Sequence, residues 1–276
     1  MTSGVPIDRR ISLPGRGETV VRDIPGPRGA PTVLLLHGLG ATGRLNWGRC
    51  YRPLSRHFRV ISVDHRGHGK GLRTRRFRLE ECADDAVAAA EALGVKQLIA
   101  VGYSMGGPIA SLTWRRHPDR VTGLVLCATA RHFVPRSTAR LARATLPAVA
   151  LATRLVPQVV HRRMVQRMLV RIEHPELRDR VQEELLGHEP ATVIQAAEAL
   201  THFSSHDWIG DVDVPTVVIV TTLDELVPAS RQLKLARSIP SARILQIEDD
   251  HDACVRGEFS DVLIRACRMV AETPAR

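Results

Sequence analysis

The chain has 276 residues, 44% of them hydrophobic and 25% charged, enough to bury a full core in one large domain or in one domain carrying an insertion. That balance excludes a disordered chain, a fibre and a disulfide-stapled mini-protein, and no run of about eighteen apolar residues is present to cross a membrane. The net charge of +10 is carried almost wholly by arginine, and nine arginines with no Asp or Glu lie between Arg131 and Arg171, so the remainder is close to neutral.

In chain order, strand-like runs at Arg10 to Leu13 and Thr19 to Asp23 predict an antiparallel hairpin. Short β-branched or leucine-rich runs follow at Thr32 to Leu36, Arg59 to Val63, Gln97 to Val101 and Val121 to Cys127, alternating with helical stretches, which is the pattern of βαβ units. Within Leu79 to Leu93 the apolar residues Leu79, Cys82, Ala86, Val87, Ala90 and Leu93 share one helical face, and Gly94 supplies a stop. From about Ala130 to Ser205 the strand pattern disappears, and several helices are expected, punctuated by Pro135, Pro147, Pro157, Pro175 and Pro190. It resumes with a strand at Thr216 to Val220, a helix near Ser230 to Ser238, a strand at Arg243 to Ile247 and a closing helix from Glu258 to about Ala271. The expected architecture is α/β: a mostly parallel eight-stranded sheet flanked by helices, with residues 1–130 and 206–276 as the core and 131–205 as a helical insertion. Two independent domains are the poorer reading, because the last two βα units are too few to build a core alone.

Met1 to Gly17 contains no apolar stretch that would serve as a signal peptide, so a cytoplasmic setting is expected. Cys50, Cys82, Cys127, Cys254 and Cys267 are odd in number, widely spaced and free of any C-x-x-C pair, and read as reduced packing residues.

The strongest chemical signal is Gly102-Tyr103-Ser104-Met105-Gly106, between a predicted strand and a helical stretch. A serine on so sharp a turn projects its hydroxyl beyond the carboxyl end of the sheet, and flanking side chains would collide with neighbouring elements. Serine is a poor nucleophile without a histidine base, which in turn needs a carboxylate to hold its tautomer. Asp224 follows the strand ending at Val220, and His251 follows the strand ending at Ile247, so Ser104, Asp224 and His251 stand in nucleophile, acid, base order at one end of the sheet. Glu225 is the rival acid. An oxyanion needs preorganised donors, for which the amides of Met105 and of Leu39, in the turn His37-Gly38-Leu39-Gly40, are the candidates.

These motifs, together with DHRGHG at Asp64 to Gly69, LVLCAT at Leu124 to Thr129 and VPTVVIVTTLDELVP at Val214 to Pro228, make the sequence resemble the α/β-hydrolase fold proteins that carry a helical cap. The resemblance implies a Ser104, Asp224, His251 triad, a cap over roughly residues 131–205, and ester hydrolysis through an acyl-enzyme with no metal or organic cofactor. Thioester hydrolysis and acyl transfer use the same machinery, carbon-carbon hydrolysis and perhydrolysis occur in similar families, and a receptor without turnover is the non-catalytic alternative. Two departures from the family pattern stand out. Asp249 and Asp250 precede the histidine where glycine is usual, and Lys70 stands where a small serine often follows the DxRGxG turn. The acidic pair has two ways to act on His251: raising its pKa or competing for its hydrogen bond.

Other patterns carry less. Gly38-Leu39-Gly40-Ala41-Thr42-Gly43 is a formal G-x-G-x-x-G with Asp64 some twenty residues on, as a dinucleotide site requires, but a hairpin precedes the strand and no helix is expected directly after Gly43. His65/His68 and His202/His206 have metal-compatible spacing without a third ligand and are expected to be packing or surface residues. The run Arg73 to Arg78 lacks interleaved aromatics, and no nucleic-acid partner is expected. In the insertion, Met164, Val165, Met168, Leu169 and Ile172 share a face and arginines occupy the rest. The functional expectation is an apolar acyl pocket, lined by His37, Gly38, Tyr103, Met164 and Met168, under a cationic roof suited to a lipid-like ester, an acyl thioester on an anionic carrier, or an anionic lipid surface. An ordinary cap helix with solvated arginines is the equal alternative.

Overall fold

The computed structural model describes residues 8–134, 136–153, 159–160, 162–163, 166, 175–256 and 258–273. Eight strands form one sheet in the order β1-β2-β4-β3-β5-β6-β7-β8. These are β1 Asp8–Leu13, β2 Gly17–Ile24, β3 Thr32–Leu36, β4 Arg59–Val63, β5 Leu98–Tyr103, β6 Val121–Cys127, β7 Thr216–Thr221 and β8 Ala242–Ile247. The first two pair antiparallel, β2 lies antiparallel to β4, and every later pairing is parallel. All six residues of β5 and of β7 are buried, as expected of strands covered on both faces, whereas most of edge strand β8 is exposed or half-buried.

The helices are α1 Gly43–Trp47, α2 Tyr51–Ser55, α3 Leu79–Ala92, α4 Gly106–Arg116, α5 Arg136–Thr153, α6 Pro175–Leu186, α7 Pro190–His202, α8 Ala229–Ala236 and α9 Phe259–Ala271. Residues of α3, α4 and α8 fill one face of the sheet around Leu34, Ala100 and Val218. Residues of α1, α2 and α9 fill the other around Val33, Val101 and Ile219. The predicted face of α3 is buried apart from half-buried Leu93, and Gly94 adopts φ +73 at its end. Between β6 and β7 lie α5, α6, α7 and a 3-10 helix at Ile209–Asp211, with α5 packed on α7. No helix among the described residues is long and apolar enough to cross a membrane.

Two local expectations need correction. Pro147 does not end a helix: α5 runs through it. The missing N–H removes one backbone bond, which eighteen residues of helix packed on α7 tolerate. A helix does open directly at Gly43, because Thr42 caps it, its Oγ1 accepting from the Leu45 amide. Its first amide is already taken: Gly43 N donates to Asp64 Oδ1 at 2.8 Å, and the same carboxylate holds the buried Arg22 (2.8 Å) and the Lys70 amide (2.9 Å). Asp64 therefore ties β2, α1 and the following turn together, and the helix end that a dinucleotide phosphate would need is occupied by a side chain.

Candidate active site

Sheet order sets the site. The chain runs outward from β3 to β4 and returns on the far side of β3 to β5, so the loops after β3 and β5 diverge at a topological switch point. Ser104 sits in the turn after β5 with φ +51, a strained conformation for a residue with a Cβ. The strain is held by its surroundings: Ser104 N donates to Cys127 O at 2.9 Å, while Gly107 N (2.9 Å) and Thr129 Oγ1 (2.8 Å) both donate to Ser104 O. Glycine is required on either side because a Cβ at Gly102 would lie 2.1 Å from Gly106 O, and one at Gly106 would lie 2.0 Å from Leu36 O.

The loops after β7 and β8 are stitched together, Thr222 N donating to Ile247 O and Leu223 N to Asp249 O, each at 3.0 Å. That pairing brings His251 Nδ1 to 2.7 Å from Asp224 Oδ2, and His251 Nε2 to 3.0 Å from Ser104 Oγ. With the carboxylate accepting, Nδ1 carries the imidazole proton and Nε2 is free to accept from the serine. Burial opposes ionisation of Asp224, but donation from His251, the Val227 amide and Thr221 Oγ1 outweighs it and holds the carboxyl below its ordinary range. Glu225, the rival acid, is exposed. Asp249 and Asp250 do not compete for the imidazole, since both pair with Arg256.

Gly38 packs against Ser104 and donates its amide to Asn46 Oδ1 at 2.8 Å. The amides of Leu39 and Met105 have no hydrogen-bond partner among the described residues. His37 and Tyr103, expected in the pocket wall, are instead buried supports. His37 donates from Nδ1 to Gly38 O (2.8 Å) and accepts His65 N at Nε2 (2.9 Å). Tyr103 donates its hydroxyl to His251 O at 2.9 Å, its ring edge-on to Trp47. Met164 and Met168, and the other residues of the face they share (Val165, Leu169 and Ile172), lie outside the described residues. His65 and His68 are buried in the core, His206 pairs with His132, and His202 lies near Glu198; no group of three or more metal-ligating side chains occurs among the described residues. A cleft of about 680 Å³ between α5, α7 and the start of α3 is lined by apolar residues such as Phe77, Ala150 and Phe203 and by charged ones such as Arg76, Arg78 and Glu198, and none of Ser104, Asp224 or His251 lines it.

A profile of the α/β hydrolase fold family matches residues 31–255. The chain belongs to the α/β hydrolase fold family. Pimeloyl-[acyl-carrier protein] methyl ester esterase of Chromobacterium violaceum is 30% identical over 252 residues, covering 89% of this chain and 96% of that protein. RutD of Agrobacterium fabrum, provisionally named a carbamate hydrolase, is 27% identical over 227 residues, 79% of this chain and 85% of its own. A hydrolase from Pseudomonas aeruginosa shares the fold with a TM-score of 0.78 at 21% identity, over 96% of this chain and 98% of that one. As a member of this family with esterase and hydrolase relatives, the chain is a hydrolase enzyme.

Some of the candidate site has no signal in the sequence analysis. Thr129, Asn46 and Gln232 hold Ser104, Gly38 and Asp224 from other elements. Thr129 closes the LVLCAT motif, and Gln232 is a polar residue buried in α8 beside Leu235 and Ala236.

Proposed function

We propose that this chain hydrolyses carboxylic esters through an acyl-enzyme at Ser104. The observation that carries the reading is the unbroken relay from Asp224 Oδ2 through His251 to Ser104 Oγ, at 2.7 and 3.0 Å, on a strained turn. His251 accepts the Ser104 proton at Nε2 as Oγ adds to the ester carbonyl, then returns it to the departing alcohol; Asp224 holds the ring and stabilises the imidazolium. The Leu39 and Met105 amides hold the developing oxyanion. Water then attacks the acyl-enzyme with His251 again as base, releasing the acid.

Residues 131–205 serve in this reading as a cap that selects an apolar acyl group carried by an anionic partner, an acyl-carrier surface in preference to a lipid. Support comes from the arginines of this segment, from exposed Leu141, Val149 and Leu151 on α5, and from a relative named for a methyl ester on an acyl-carrier protein. A cytoplasmic setting belongs to the same proposal, with five buried free thiols in its favour.

The test is hydrolysis of p-nitrophenyl esters of graded acyl length by wild type and Ser104→Ala, with intact-mass detection of a fluorophosphonate adduct. Turnover and adduct in the wild type, both lost in the variant, are expected. A wild type that neither turns over nor is labelled sinks the reading.

A further inference from the structure

The turn between α6 and α7 reaches the loop that carries Leu39. His188 donates from Nε2 to Gly40 O at 3.1 Å and accepts the Gly69 amide at Nδ1 at 3.0 Å. The adjacent Glu189 amide donates to Gly67 O at 2.8 Å, so this turn is seated on the Gly67 to Gly69 turn of the core. Nearby, buried Glu184 accepts from Thr42 Oγ1 at 2.6 Å, just past Gly40.

The backbone continues this line of hydrogen bonds. Gly40 O and Ala41 N belong to one peptide group, and Ala41 N donates to Gly38 O at 3.3 Å. Gly38 O and Leu39 N belong to the next peptide group, and Leu39 N has no partner among the described residues. A donor on each carbonyl fixes the plane of its peptide and polarises the N–H on the opposite side. The chain of groups therefore runs from the imidazole of His188, through two peptides, to the amide proposed to hold the oxyanion. Gly40, with φ +66 and no atom within 4 Å of a Cβ built on it, has no side chain to fix this orientation locally.

We propose that His188 is a positioning residue for the Leu39 amide, so that the helical segment between β6 and β7 controls the oxyanion site through hydrogen bonds and not only by shaping a pocket. The inference rests on the function proposed above for the kinetic part of its test. The same loop is also attached by Glu184 at Thr42, by Asn46 at Gly38 N and by His37 Nδ1, which donates to Gly38 O at 2.8 Å and shares that carbonyl with the Ala41 amide.

Three variants at one position separate the roles of the ring. His188→Ala removes both bonds, His188→Gln keeps a donor within reach of Gly40 O, and His188→Asn keeps an acceptor for Gly69 N only. His188→Ala is expected to lose roughly ten- to a hundredfold in kcat with KM within about twofold, as a misaligned transition-state donor does. Affinity for a trifluoromethyl ketone falls in parallel, His188→Gln recovers most of the loss and His188→Asn does not. Hydrogen exchange at the Ala41 amide, read without any substrate, accelerates in His188→Ala. Unchanged kcat in His188→Ala overturns the proposal, as does a loss shared equally by all three variants and tracking their melting temperatures. If the wild type hydrolyses no ester, the proposed function fails by itself; the exchange rate at Ala41 then decides the positioning role, and an unchanged rate ends it.

Discussion

Asp224 owes its charge state to contacts from several directions. Its carboxylate is buried, which alone would favour the neutral acid, yet His251, Thr221 and the Val227 amide donate to it. Because its folded pKa lies below the unfolded one, its stabilising contribution is present at neutral pH and is lost only as pH falls through the lowered value. Asp224→Asn keeps the volume but inverts the hydrogen-bond preference of the group facing Nδ1, and kcat is expected to fall by about four orders of magnitude with the fold intact by circular dichroism. Gln232 stands behind this residue: its Oε1 accepts Thr221 N at 3.1 Å and its Nε2 donates to Val227 O at 2.7 Å. Gln232→Leu leaves both backbone groups buried and unpaired, a cost of about 1–3 kcal/mol per group, measurable as a lower urea midpoint. Activity falls with it as the Asp224 loop loosens.

At the scale of elements, the serine turn is defined by contacts that allow no side chain. A methyl group at Gly106 meets the carbonyl of Leu36 in β3, and one at Gly102 meets the first residue of α4, so in both cases backbone is the obstacle. Gly106→Ala is expected to destabilise by more than about 4 kcal/mol, so that the variant is recovered unfolded or not at all; a soluble variant with a wild-type denaturation midpoint would contradict this. Strand and helix identities were legible because apolar period and turn residues are local: all eight strands and α3, α4, α8 and α9 stand within a few residues of their expected places. Two features were not. The five-residue α1 is too short to show a helical period, and its start depends on the Thr42 cap and on Asp64 from the loop after β4. At Pro147, the lost hydrogen bond argued for a helix end, whereas packing of α5 on α7 decides the outcome.

For the whole molecule, charge and buried histidines make separate predictions. The segment from Arg131 to Arg171 concentrates the net charge, so binding of an anionic acyl carrier is expected to weaken steeply as salt rises; absent or salt-insensitive binding removes that part of the proposal. Burial holds His65 near pKa 4 and His68 near 3, and drives His37 well below its ordinary value, in keeping with rings that serve as neutral hydrogen-bond partners. Above about pH 6.5 these rings are neutral in both the folded and the unfolded chain. As pH falls from there towards 4 the unfolded chain takes up protons that the folded chain refuses, so stability drops by up to about 1.4 kcal/mol per pH unit for each ring. Denaturant midpoints measured across this window should fall with acidity, and a flat profile would refute the account.

Sequence alone determined the order of strands and helices, the glycine-flanked serine, and the carboxylate and histidine placed after the last two strands, because each is written within a few consecutive residues. Tertiary structure decided which groups meet. It turned Asp224 rather than Glu225 towards His251, gave Asp249 and Asp250 to Arg256, committed Asp64 to Arg22 and the α1 amide, and brought His188 to Gly40 across 148 residues of chain. These pairings follow from strand order and from loops meeting at one end of the sheet, and proximity of that kind has no local signature for a sequence to carry.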